Sequence, residues 1–233
     1  MVSGLFSTAM ETSGPKPRTS FALSIKTSSS SDGGLPRVKR FSMSSTNILE
    51  FLMLVGKLKN VKRTGWINHN VKKPESVADH MYRMAIMTFL LNNPSAGVNN
   101  ERCLKLAVVH DLAECIVGDI TPSDPMGHEE KHRREKDAMN HLASLIDSKI
   151  GKELLELYEE YESQTTSEAK AVKDLDRFEM ILQAFEYEKA EDRHGELQDF
   201  FNSTKDKFKT PQIKEWVEEL GRKREEQRTM HFN

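Results

Sequence analysis

The chain has 233 residues, room for one domain and a tail, and 30% of them are charged. Its formal net charge is −2, so no overall basic excess draws it to nucleic acid. No apolar run approaches the length of a membrane span, which fits a soluble protein. Cys103 and Cys115 both lie on apolar-periodic segments, which argues for a reducing compartment rather than a disulfide framework.

Residues 1–43 differ from the rest. They hold six Lys or Arg, only two acids (Glu11 and Asp32), the run Ser28 to Ser31, and a basic patch from Arg37 to Arg40. Such a composition buries too little apolar area to offset chain entropy, so the segment is expected to be a disordered extension. A hydroxylated, basic, acid-poor leader also matches a transit peptide, with the chloroplast the expected address in a plant and another organelle otherwise. A chain initiated at Met43 would be cytoplasmic. Residues 44–233 form the expected folded domain, with 28 basic and 34 acidic side chains.

Helical periodicity dominates from Ser44 onward. Ile48, Phe51, Leu52, Leu54, Val55 and Leu58 repeat at helix spacing behind the capping candidates Ser44, Ser45 and Thr46. A second helix opens at Pro74-Glu75-Ser76, where Ser76 and Asp79 form a capping-box pattern, and runs through Leu91. A third spans about Glu101 to Val117 and stops at Gly118. A charged helix follows from about Glu129 to Ile150, and Gly151 opens the next. Ser167 to about Ala190 makes a long helix, and Pro211 to Arg228 the last. No strand pattern or internal repeat stands out. The expected class is all-α, an irregular helical bundle.

Polar residues interrupt three of these apolar faces. His80 lies in PESVADHMYR, His110-Asp111 in AVVHDLAEC, and Asp176 in VKDLDRFEM. Two histidines and two aspartates make an N and O donor set suited to a divalent metal. The bland alternative is a core histidine hydrogen-bonded to a core aspartate. A buried His or Asp is costly unless paired or metal-bound, and three helices carry such residues here. Asp79 fits the third position of the cap. Asp174 lies about 200° around the helix from Asp176, so only one of the two can face the site. Glu114, four residues after His110, shares its face on an unbroken helix, and Asp119 follows Gly118 at the turn. Both can do acid–base work beside a metal, which points to metal-assisted hydrolysis. Arg63 offers a fork to phosphate, and Trp66 offers either a flat face to a base or sugar or a core side chain. Lys131, Arg133 and Arg134, with His128, His132 and His141, read as a solvated face. His69, His194 and His231 lie in loop-like or terminal context.

With His80, His110-Asp111 and Asp176 in that order, the chain resembles the HD-domain metal-dependent phosphohydrolase superfamily. The stretches RTGW, PESVADHMYRMA, HDLAECIVGDITP, EEKHRRE and VKDLDRFEMILQAFEYE are similar to its eukaryotic HD domain-containing protein 2 group, related to the bacterial 5′-deoxynucleotidases. The resemblance covers nearly all of residues 46–205. It implies an HD-type bundle, metal binding by His80, His110, Asp111 and Asp176, and 5′-dephosphorylation of deoxyribonucleoside monophosphates. Mn²⁺ or Co²⁺ is the typical metal, and Mg²⁺ is a further candidate. It implies that Glu114 is needed for catalysis and that Asp119 lies near the sugar or the reacting water. It also implies a second cation at Glu114, Asp119 and the Ile120 carbonyl, and a homodimer. In the bacterial enzymes Arg directly precedes the Trp; here Gly65 stands there and Arg63 lies two residues earlier. Hydrolysis of cyclic nucleotides or guanosine polyphosphates, and a non-catalytic nucleotide sensor, are the alternatives.

Overall fold

A computed structural model describes residues 44–91, 97–121 and 124–231. The extension expected over 1–43 lies outside the described residues, as does the side chain of His231. The described part is helical: α1 (Ser45–Gly56), α2 (Thr64–Asn68), α3 (Val77–Thr88), α4 (Asn100–Val109), α5 (Glu114–Val117), α6 (His128–Ser144), α7 (Ser148–Ser163), α8 (Ser167–Ala190), α9 (Gln198–Thr204) and α10 (Pro211–His231). A 3₁₀ turn, Lys57–Lys59, follows α1. Among the described residues the only β pairing noted is an isolated bridge between Lys62 and Ser76. Among the described residues no helix is long and apolar enough to cross a membrane.

The long helix α8 is the axis, packing against α3, α4, α7 and α10. Its inward side buries Ala171, Val172, Leu175, Phe178 and Ile181 against Met84, Cys103, Leu106 and Leu157. Full burial of each large aliphatic side chain contributes about 1.5–3 kcal/mol. A smaller cluster of Trp66, Val71, Ala184 and Leu197 seats α2 over the far end of α8. Caps set the helix starts. Ser76 and Asp79 form the full capping box of α3, so Asp79 is structural. Asn99 and Thr166 accept from backbone N–H groups of α4 and α8. Cys103 and Cys115 are free and buried.

Two of the boundaries that differ from the sequence reading have a clear local cause. The expected third helix breaks after Val109. The Leu112, Glu114, Cys115 and Ile116 amides bond three residues back rather than four, to Val109, Asp111, Leu112 and Ala113. This tightened turn carries the HD pair, and such stretches often mark functional segments. The expected charged helix divides at Leu145–Asp147, because the Asp147 carboxylate caps α7 by accepting from Lys149 N at 2.9 Å. Gly151 therefore lies inside α7 rather than at its start. A Cβ there would come within 2.6 Å of the Ala143 carbonyl oxygen, so glycine lets α7 press onto the end of α6.

Candidate metal centre

Because α3, α4 and α8 pack together, His80, the turn after α4 and Asp176 meet. His110 Nε2 lies 3.0 Å from Asp111 Oδ2, and His80 Nε2 lies 3.8 Å from Asp111 Oδ2 and 3.4 Å from Asp176 Oδ1. Both histidines are buried. Neither Nε2 has a hydrogen-bond partner, so these approaches are convergence rather than hydrogen bonding. An orphaned buried nitrogen costs about 1–3 kcal/mol, and this centre has two. Ligands held about 2.1 Å from one ion lie about 3.0–3.5 Å apart, close to the spacing seen here. The donor set therefore fits a divalent cation.

Neighbouring groups fix which atoms face the centre. His110 Nδ1 lies 3.0 Å from the Ala107 carbonyl, which can only accept, so Nδ1 carries the proton and the Nε2 lone pair points inward. Asp176 Oδ2 accepts from Tyr161 OH at 2.7 Å and from Lys173 Nζ at 2.9 Å, leaving Oδ1 for the centre. Burial alone would raise the Asp176 pKa; Lys173 and the two histidines hold it well below the usual carboxylate range. His80 Nδ1 stands 2.5 Å from Glu179 Oε2, and Glu179 Oε1 receives Arg83 at 2.9 and 2.7 Å. Burial and Arg63 disfavour a charged His80, yet Glu179 and Asp176 push it up to about 9. The pocket thus attracts positive charge, which a cation would supply.

Glu114 and Asp119 border this centre. Glu114 is buried and its Oε2 has no partner. Burial and the charges of Asp111 and Asp119 raise its pKa well above the usual range. In the tightened turn Glu114 stands three residues beyond Asp111, its largest charged neighbour, rather than one α-helical turn beyond His110. The Asp119 carboxylate accepts from Thr64 N at 2.5 Å and its carbonyl from Thr64 Oγ1 at 2.7 Å, joining the loop after α5 to the start of α2. Burial raises the Asp119 pKa, against Arg63 and the Thr64 amide. The Ile120 carbonyl accepts from Lys131 Nζ at 2.7 Å. Lys131 therefore does not belong to the solvated face expected of it; its ammonium stands at the carbonyl assigned to a second cation. Arg133 and Arg134 do lie outward, paired with Glu130.

Asp111, Glu114, Asp119, Ile120, Lys131 and Asp176 line one cavity of about 590 Å³, within the usual range for small-molecule sites. Arg63 lies on its wall with Nη1 3.4 Å from Asp111 Oδ2. Burial works against its charge, but Asp111, Asp119, Asp176 and Glu114 raise its pKa. Gly65 sits where a Cβ would come within 3.3 Å of Phe200, so a side chain there would crowd that ring. Trp66 is 1% exposed and packs on Phe200 and Tyr187, with Nε1 donating to Glu75 at 2.9 Å. It is a wall of the cavity more than an open stacking face. Lys173, His69, Asp199 and Phe200 also line the cavity, and sequence reasoning had assigned them no part in a site. Arg83 and Glu179 were missed too. Their signal was spacing: each follows a candidate ligand, His80 or Asp176, by three residues, and so shares its helix face.

Asp174 faces elsewhere. Its carboxylate accepts from Lys209 N and Thr210 N, each at 2.7 Å, and so anchors the start of α10. Asp174→Ala is expected to cost about 1–3 kcal/mol in stability and leave metal content intact. Asp176→Ala is expected to lose the metal. Elemental analysis of the two variants separates them, and the reverse pattern would refute the assignment.

Comparison with known proteins follows the same lines. The HD domain family model matches residues 55–216. The chain is 56% identical over 178 residues to the Bos taurus protein named 5′-deoxynucleotidase HDDC2, covering 76% of this chain and 86% of that one. The protein of the same name from Homo sapiens is 54% identical, also over 76% of this chain and 86% of its own length. Among solved structures, a conserved hypothetical protein from Pyrococcus furiosus superposes with a TM-score of 0.62 at 34% identity, over 75% of this chain and 99% of that one.

Proposed function

This chain belongs to the HD-domain family, and on that premise we propose that it is a metal-dependent 5′-deoxynucleotidase, hydrolysing deoxyribonucleoside 5′-monophosphates to deoxynucleosides and phosphate. The observation that carries the reading is the pair of unpartnered Nε2 atoms converging with Asp111 and Asp176 on a cavity that also holds a buried, unpartnered carboxyl oxygen. His80, His110, Asp111 and Asp176 would hold the ion, with Mn²⁺ or Co²⁺ favoured and Mg²⁺ able to serve. When bound, the cation would neutralise phosphate charge and acidify the attacking water.

The protein's own groups would do the rest. Arg63, kept charged by its acidic neighbours, would face the phosphate oxygens. Glu114, whose carboxyl is held above the usual range by burial and the neighbouring aspartates, would pass a proton to the leaving 5′-oxygen as the P–O bond breaks. Asp119, tied to Thr64, would orient the water. Glu114, Asp119 and the Ile120 carbonyl would receive a second cation only by displacing Lys131 Nζ. Glu114 and Asp119 favour an enzyme over a sensor. A phosphate-release screen of all deoxyribonucleoside and ribonucleoside monophosphates, with cyclic nucleotides and guanosine polyphosphates assayed alongside for their own products, each with the three metals, tests the reading. Release confined to the deoxy series supports it. Turnover of cyclic nucleotides or guanosine polyphosphates instead would move the chain to another HD activity.

Two further readings concern the whole chain. Tyr82, Ile86, Phe89 and Leu90 are exposed at spacings that place them on one side of α3 and the turn after it, which favours a homodimer. Residues 1–43 are proposed to carry an organelle address and to be dispensable for catalysis. A chain starting at Met43 should show the melting temperature and kcat of the full chain. A fluorescent protein fused after residue 45 should enter an organelle; a purely cytosolic signal would remove the targeting claim.

A further inference from the structure

We propose that Glu179 is a positioning residue of the metal centre: it fixes the tautomer of His80, so that the Nε2 lone pair is presented to the ion. An ionised carboxylate only accepts hydrogen bonds, and arginine only donates. The Arg83 guanidinium takes Glu179 Oε1 with two N–H groups, at 2.9 and 2.7 Å, and reaches on to Gln183 and Glu186. That fork orients the carboxylate and leaves Oε2 facing His80 Nδ1 at 2.5 Å. Nδ1 must therefore be the donor. In the neutral ring the lone pair then falls on Nε2, the atom with no hydrogen-bond partner, which points at Asp111 and Asp176. Glu179 and the His80 side chain are both fully buried, so no water competes for the Nδ1 proton. Histidine ligands that donate their second nitrogen to a carboxylate are held in tautomer and ring orientation in this way, and losing the partner costs about 10–100-fold in metal affinity.

The arrangement makes a specific demand on Glu179→Gln. Glutamine keeps the size and shape but has one acceptor and one donor end. The Arg83 fork accepts nothing, so it must take the amide oxygen. The amide NH₂ is then turned toward His80 Nδ1, which can only accept from it. The proton moves to Nε2, where it blocks the ion.

The inference rests on the metal reading of the site, and the test separates the two. The full chain loaded with Mn²⁺ is challenged with a chelator, and retained Mn²⁺ is measured for wild type, Glu179→Gln and Glu179→Ala. The His80 ring nitrogens of each, metal-stripped, are assigned by ¹⁵N NMR. Wild type should hold Mn²⁺ and show a protonated Nδ1 with an unprotonated Nε2 in its neutral form. Glu179→Gln should keep a cooperative thermal transition, show the opposite tautomer, and bind Mn²⁺ about 10–100-fold more weakly. Wild-type affinity in Glu179→Gln, or a wild-type His80 protonated at Nε2, would overturn the proposal while leaving the metal reading standing. Failure of wild type to hold Mn²⁺ would sink the metal reading itself. The wild-type tautomer is read without any variant, so misfolding of Glu179→Ala leaves the proposal exposed to refutation.

Discussion

Asp111→Ala is expected to leave the chain without stoichiometric metal and to lower turnover by at least about 10²–10³-fold, the scale of losing a principal electrostatic element of a site. Asp111 Oδ2 lies 3.0 Å from His110 Nε2, 3.8 Å from His80 Nε2 and 3.4 Å from Arg63 Nη1. One substitution therefore removes a proposed ligand and the anion beside the guanidinium proposed to face phosphate. Stability under metal-loaded conditions should fall as well, since an ion that binds only the native chain stabilises it by mass action. Elemental analysis and kcat on a deoxyribonucleoside monophosphate, measured on the same sample, check both effects. Full metal occupancy in the variant would show that another set of residues holds the ion.

Glu114→Gln should behave in the opposite way on metal and stability. It should retain the ion at the His80 centre and lose about 10²–10⁴-fold in kcat, the usual range for a general acid or base. Wild-type turnover in this variant would end the proton-donor assignment and leave Asp119 as the acid–base group. The stability effect has a defined sign. The folded pKa of Glu114 lies above its ordinary 4.5, so the folded chain holds this proton more tightly than the unfolded one. That contribution is fully present below the ordinary value and is lost as pH rises through the raised one. Glutamine does not ionise and escapes the loss. In the metal-stripped chain, the Tm of Glu114→Gln should therefore gain on wild type as pH rises from 4.5 toward neutrality. A difference between the two Tm values that stays constant over that range would show that Glu114 ionises in the fold at no cost.

Much of the centre was legible because its residues break a pattern. His80, His110, Asp111 and Asp176 each interrupt an apolar helix face, and such interruptions are costly without a partner. The capping box at Ser76 and Asp79 was legible for the same reason: two residue types at a fixed offset make a physical demand. What stayed hidden depends on contacts distant in sequence. The stretch from Leu104 to Val117 is periodic throughout, and only the pairing of amides three residues back shows that it breaks after Val109. Lys131 reads as one more cation in EEKHRRE, and only the Ile120 carbonyl brings it to the cavity. Charged side chains on helices belong by default to the solvent face. Glu179 and Arg83 therefore carried no signal beyond their three-residue spacing from Asp176 and His80 until α3 met α8. Trp66 could serve a ligand or the core, and its 1% exposure gives it to the core while its edge reaches the cavity.

The central claim is that the ion seated by His80, His110, Asp111 and Asp176 is the one the chemistry uses. Anomalous diffraction from crystals of the full chain loaded with Mn²⁺ and a non-hydrolysable deoxyribonucleoside monophosphate analogue tests it most directly. The account predicts a manganese peak about 2.0–2.2 Å from Nε2 of both histidines, with the analogue's phosphate on the ion and within reach of Arg63. A peak elsewhere with this centre empty, or a phosphate bound away from the ion, would contradict it.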